Sequence, residues 1–308
     1  MKTLATIVAL GFLSSNALSS KALADKVPVA ANSPNGTYSR MLSELARVCS
    51  TPDFTITEDK SITGGALGNL EALKSRAHMA FVQSDVIQAF ARADDFYKQY
   101  KTLVSLYPEE VHVLALRTPR LDTGGFGFWD RTSKEFNKLS DLAGLPVGAT
   151  GGATLTMGLL NEVGGAGFIP LPFETGDALI GALQAGAIQA AIFVGGAPLP
   201  DFERFRRDDF KLLSVDDSIA AKTSSLYRPT KITYTNLEAQ QISTIAAKAI
   251  ILSRPFKTRK FVNEQITFRR CLYDNLDMLK EAPGFHFKWQ FVDPNDHGPW
   301  EWLELPDK

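Results

Sequence analysis

The chain reads as an α/β protein of two lobes, each built on a sheet with helices on its faces. Three observations predict this. Short β-like runs alternate with helical runs from Val27 onward. The alternation breaks at a glycine-rich stretch after Arg117 and then restarts. The chain has 308 residues, 44% of them hydrophobic and 22% charged, enough for about two cores. No short repeat period runs through the two blocks, so they are paired lobes and not a solenoid.

Val27 to Ala31 is an apolar strand, ended by a turn of Asn32, Ser33, Pro34, Asn35 and Gly36. Thr37 opens a helix with Met41, Leu42, Leu45, Ala46 and Val48 on one side. Thr55 to Glu58 reads as strand, Gly64 to Ser75 as helix and Met79 to Gln83 as strand. Ser84 caps a helix to about Ala93, and Lys101 to Tyr107 and His112 to Arg117 read as two further strands. Pro119 to Arg131 carries Gly124, Gly125 and Gly127 with no periodic face, and reads as a connector.

Beyond it, Ser140 caps a short helix, Pro146 to Ala149 is strand and Ala153 to Val163 helix. Gly167 to Pro170 reads as strand, Asp177 to Ala185 as helix, and Ala190 to Val194 and Lys211 to Val215 as strands. In the last third, Ile232 to Tyr234 is strand, whereas Ala239 to Leu252 is expected to be a helix with Ile242, Ile245, Ala246 and Ala249 inward. Pro255 to Leu279 is helical, and a tail with Trp289, Trp300 and Trp302 closes the chain. These last helices need a sheet to cover. Returning them to the first lobe makes that lobe discontinuous, with lobe one at 25–117 and 217–308 and lobe two at 118–216.

Met1 to Ala24 has the form of a secretory signal peptide: Lys2, an apolar run from Leu4 to Leu13, and Ala22 and Ala24 flanking Leu23. The run is about ten residues, half of what a membrane span needs. A mature chain soluble in the periplasm is therefore expected. The whole chain has 33 Lys plus Arg against 34 Asp plus Glu, and this balance gives no general field for nucleic acid, so no nucleic-acid partner is expected. Export puts Cys49 and Cys271 in an oxidising space, where they either pair or stay buried as thiols. Closing so long a loop would contribute at most about 5 kcal/mol on the chain-entropy model. His78, His112, His286 and His297 are scattered and the cysteines lack ligand spacing, so neither a metal nor a cofactor is expected.

No nucleophile elbow, zinc helix, phosphate loop or complete dinucleotide turn is present, which argues against an enzyme. Instead, four small-residue turns follow strands and open helices. They are Gly36-Thr37-Tyr38, Gln83-Ser84-Asp85, Thr150-Gly151-Gly152-Ala153-Thr154, and Gly195-Gly196-Ala197-Pro198. Helix N-termini expose unpaired N–H groups and a positive dipole end, and small residues let a ligand approach the backbone. In open α/β sheets ligands lie beyond the carboxyl ends of strands, where all four turns fall. Each turn alone is equally a cap; together they predict one crevice between the lobes, uncharged where it meets an anionic ligand. Asp85 is open to a second reading, as a dipole partner in the first turn of its helix.

At these turns the chain resembles the TAXI-type solute receptors of TRAP transporters, a family of type II periplasmic binding proteins. The resemblance rests on NGTYSRMLSELA, NLEALKSRAHMAFVQSDV, LYPEEVHVLALR, LSDLAGLPVGATGGATLT, ALIGALQAGAIQAAIFVGGAPLP and ITYTNLEAQQISTIAAKAIILSR, in family order over most of the mature chain. It implies a two-lobed fold, each lobe a mixed sheet flanked by helices, closing on a small carboxylate or amino acid and presenting it to a TRAP permease. Gly36, Thr37 and Tyr38, then Gln83, Ser84 and Asp85, and Gly195 to Pro198 match the family's turns. Its G-S-G-T turn is replaced by Gly151-Gly152-Ala153-Thr154, which removes a hydroxyl donor. Service to an ABC importer or a sensor kinase, or an exported enzyme on the same fold, are the rival readings.

Overall fold

A computed structural model describes residues 25–32, 36–118 and 135–306. The expected leader, residues 33–35 of the first turn and the glycine-rich connector from 119 lie outside the described residues. The first block runs β1 (Asp25–Ala30), α1 (Thr37–Cys49), β2 (Phe54–Glu58), α2 (Gly65–Ala72), β3 (Met79–Gln83), α3 (Ser84–Ala93) and β4 (Lys101–Leu116). The second runs β5 (Pro146–Thr150), α4 (Ala153–Glu162), β6 (Ile169–Phe173), α5 (Gly176–Ala185), β7 (Ala190–Gly195) and β8 (Phe210–Leu213). There follow α6 (Asp217–Lys222), β9 (Arg228–Ile232), β10 (Ile242–Ser253), α7 (Arg259–Asp274) and α8 (Leu276–Glu281).

Local chemistry explains the helices. α1 buries Met41, Leu42, Leu45 and Cys49 at helical spacing. α5 begins where Thr175 Oγ1 accepts from Ala178 N at 3.2 Å and stops at Gly186, which takes φ 77°.

The strands pair in the order β2-β1-β3-β10-β4-β7-β5-β6, with β8 joined to β4 and β9 to β10. The outer strands pair in parallel, β1 with β2 and β3, and β5 with β6 and β7. The long strands β4 and β10 are antiparallel to each other and to their neighbours. One apolar cluster spans Val27 to Tyr107 and resumes at Ala249. Two others cover the faces of the second half, one holding Val111, Ile192, Ile219, Tyr227 and Ala247, the other Leu114, Ile188, Ile232 and Leu237. The chain therefore passes between cores within β4, from Tyr107 to Val111, and within β10, from Ala247 to Ala249.

Two expectations are corrected here. Ala239 to Leu252 is not a helix: Ile242–Ser253 is β10, central between β3 and β4 and buried along nearly its whole length. A continuous apolar run looks the same for a buried strand and a buried helix, and β-branched Ile242, Thr244, Ile245, Ile250 and Ile251 favour the strand. Likewise β4 is one strand of 16 residues and not two. Pro108 lies inside it, opposite Lys248, where the ladder with β10 is irregular as far as Ile250. A proline donates no N–H, so an irregular register is where a central strand tolerates one.

Cys49 and Cys271 are joined, with Cα atoms 5.9 Å apart, tying α1 to α7 across 222 residues of sequence. The tail returns to the first core: Trp289 is fully buried, and its Nε1 donates to Glu44 Oε2 at 2.7 Å.

Candidate functional site

The four predicted turns meet at the passage between the two halves. Tyr38, in the first turn of α1, sends its hydroxyl to Glu109 Oε2 at 2.7 Å, and its ring packs on Phe81 and Tyr107. Tyr107 lies beside the Thr37 side chain and its hydroxyl donates to Glu109 Oε1 at 3.4 Å. Gln83, at the end of β3, stands beside Glu109 and favours its charged form. From the second half, Gly152 lies so close that a Cβ there would stand 2.7 Å from Gln83 Oε1 and 3.5 Å from the Ala66 methyl. A Cβ on Gly196 would stand 2.6 Å from Lys288 Cε and 3.2 Å from Tyr107 Cε2. Glycine at 152 and 196 is thus what lets the halves approach.

The meeting place is charged, against expectation. Glu109, Glu110 and Lys288 are all buried there. Lys288 Nζ donates to both Glu110 oxygens at 3.2 Å, and Glu110 Oε2 accepts from Ala197 N at 2.6 Å, beside the cis Ala197–Pro198 bond. Burial raises the Glu109 carboxyl to about 7, helped by Asp85 and Glu110 and opposed by the bond from Tyr38 and by Gln83. Burial likewise pulls the Lys288 ammonium below its ordinary value, against the pull of Glu110. Sequence reasoning passed over these three residues. Glu109 and Glu110 fall in the gap between two strands expected from the sequence, and Lys288 arrives from a distant tail.

Other predicted residues are engaged in holding the structure. Asp85 is fully buried; its Oδ2 accepts from Thr156 Oγ1 at 2.6 Å and Tyr227 hydroxyl at 2.8 Å, and its Oδ1 from Val86 N. Burial raises its carboxyl, and those bonds oppose the rise. It links α3 of the first half to α4 and Tyr227 of the second. Ser84 Oγ accepts from Lys248 N at 3.0 Å and pins α3 to β10 at the passage. Thr154 Oγ1 donates to Gly151 O within its own turn, where Gly151 takes φ 57°. Gly36 caps α1, Thr150 ends β5 half-buried beside Gly151, Ala153 starts α4, and Gly195 ends β7 against Leu199. Asn69, from the NLEAL stretch, bridges Asn32 N and Phe81 O and so fastens β1 to β3.

Two further features frame the site. A cavity of about 390 Å³ opens elsewhere, between α5 and residues 204–210, and contains none of the predicted site residues. Among the described residues no helix is long and apolar enough to cross a membrane, and no cluster of three or more His, Cys, Asp or Glu could hold a metal.

No family model and no curated protein matches the chain. Solved structures do. Tv2483 bound to L-arginine is 13% identical over 88% of this chain and 94% of its own, with a TM-score of 0.52. The GluR0 ligand-binding core from Nostoc punctiforme, in complex with L-glutamate, is 10% identical over 86% and 95% of the two chains, at 0.49. An amino acid ABC transporter substrate-binding protein from Streptococcus pneumoniae, bound to L-arginine, is 15% identical over 86% and 94%, at 0.48. With the topology above, the chain has the two-lobed α/β fold of type II periplasmic binding proteins.

Proposed function

We propose that this protein is a periplasmic solute-binding receptor of the TAXI type. It captures a small organic acid or amino acid by hinge closure and hands it to a TRAP-type permease. The observation that carries this reading is the convergence of turns from both halves on one passage crossed by only two strands. Residues of the crevice are buried, so a ligand enters when the halves part, and contacts from both sides then favour the closed state. L-arginine, the ligand bound to Tv2483, is of the same size class.

The lobes are assigned by their cores. The boundary placed at residue 117 falls at the C-terminal end of β4; the passage itself lies at 107–111. The return, placed at 217 from sequence, is drawn within β10 near Lys248, because Ile219, Tyr227 and Ile232 pack with the second half.

A thermal-shift screen of small carboxylates and amino acids tests the reading, since a ligand preferring the native state raises the melting temperature by mass action. At least one compound is expected to shift Tm by several degrees and to shrink the radius of gyration in solution scattering. Thr37→Ala, which removes a hydroxyl beside Tyr107, should weaken that ligand several-fold with little loss of stability. A full panel with no shift would sink the receptor reading. Absence of a multi-span TRAP permease among neighbouring genes would sink the partner while leaving the receptor.

A further inference from the structure

The donors and acceptors at the crevice do not balance, and the imbalance has a sign. On the donor side, the Tyr38 and Tyr107 hydroxyls and the Gln83 amide are directed at Glu109. The Lys288 ammonium is directed at Glu110 and the Pro108 carbonyl. On the acceptor side, Gln83 Oε1 has no hydrogen-bond partner although the residue is only 5% exposed. The amide cannot be turned round to cure this, because its oxygen would then face the Glu109 carboxylate. That oxygen instead faces the start of α4, against Gly152. An orphaned buried acceptor is costly, so the site is built to receive a donor. Formal charge points the same way: Glu109 feels the negative charges of Asp85 and Glu110, and Lys288 is the sole described cation named in contact with these carboxyls.

We propose, resting on the receptor reading above, that the crevice recognises its ligand by a protonated amine. Gln83 Oε1 and the Glu109 carboxylate accept from the ammonium, and the opening turn of α4 faces the ligand's α-carboxylate. An amino acid satisfies both ends. A dicarboxylate lacking an amine would leave Gln83 Oε1 orphaned and set a second negative charge against Glu109, with Lys288 already committed to Glu110. This assigns Gln83 and Glu109 as specificity-determining residues, and it narrows the ligand from organic acids in general to amino acids.

Matched pairs that differ only in amine against oxo group provide the test: L-glutamate with 2-oxoglutarate, and L-leucine with 4-methyl-2-oxopentanoate, titrated calorimetrically at pH 8 with the mature chain. The amine member of at least one pair is expected to bind ten-fold or more tightly than its oxo partner. Glu109→Gln should shrink that ratio to about three-fold or less without weakening the oxo acid. Should that variant fold poorly, the unmodified protein at pH 5.5, where Glu109 carries a proton, should lose the amine preference by a similar factor. Oxo acids or succinate binding as tightly as the amino acids would overturn the amine assignment while the receptor reading survives. A ratio unmoved by both Glu109→Gln and low pH would overturn the role of Glu109. Should nothing in the wider carboxylate and amino-acid panel bind, the receptor reading itself fails and takes this one with it.

Discussion

Glu109 and His112 lie three residues apart on one strand and titrate in opposite senses. Burial holds the Glu109 carboxyl up at about 7 from 4.5, and burial pushes the His112 imidazole down to about 3 from 6.5. Between about pH 4.5 and 7 native Glu109 keeps a proton that the unfolded chain has released, so its contribution to stability falls as pH rises. For His112 the unfolded chain gains a proton below about pH 6.5 that the native ring refuses, so stability falls as pH drops. From about pH 4.5 to 6.5 the two slopes oppose each other. Glu109→Gln removes one of them, and the gap between variant and parent should move by about 3 kcal/mol in the variant's favour from pH 4.5 to 8, read by urea unfolding. Parallel curves would mean that Glu109 is solvated in the native state. Neither shift was legible in the sequence, where Glu109 falls between two expected strands and His112 opens the second; burial by elements remote in sequence causes both.

At the level of elements, two close approaches between the halves fall at glycines, one opening a helix and one following a strand. Gly152, the cap of α4, abuts Gln83 at the end of β3. Gly152→Ala would press a methyl on the movable end of Gln83. A stability cost of only about 1 kcal/mol is expected, with a larger, roughly ten-fold loss of ligand affinity because Gln83 is displaced. Equal affinity for parent and variant would remove this turn from the site. The bridge between α1 and α7 acts elsewhere, inside the first core. Cys271→Ser should cost about 2–4 kcal/mol by thermal or denaturant unfolding and leave ligand selectivity unchanged. The elements themselves were mostly readable: β3 runs over Met79–Gln83 as expected, and α1 opens at Thr37. β10 was not, since its apolar residues satisfy helical and strand spacing alike and only its place between β3 and β4 decides between them.

Across the whole molecule, two strands join the halves and a few buried polar contacts hold them together. Asp85 is the clearest of these, with Thr156 and Tyr227 of the second half on one oxygen. Thr156→Val would keep the volume and remove one donor, at a cost of about 1.5–3 kcal/mol because the acceptor is a carboxylate. The ligand-free variant should also be more open, with a larger radius of gyration, and should bind ligand more weakly, since closure then costs more. An unchanged radius would show that Asp85 serves folding alone and takes no part in closure.

The chain order of small-residue turns after strands determined the α/β class, because turn chemistry and apolar periodicity are local properties, and it offered those turns as candidates for a site. The cysteine pair was readable as candidates but not as a bond, for sequence cannot measure the distance between α1 and α7. Tertiary structure alone decided that Ser84 and Asp85 brace the halves, that β4 and β10 form the passage, and that Lys288 comes from the tail to meet Glu110. It also decided that the crevice is charged, because the charge of a site depends on which side chains are brought together out of water, and Asp85, Glu109, Glu110 and Lys288 arrive from three separate stretches of the chain.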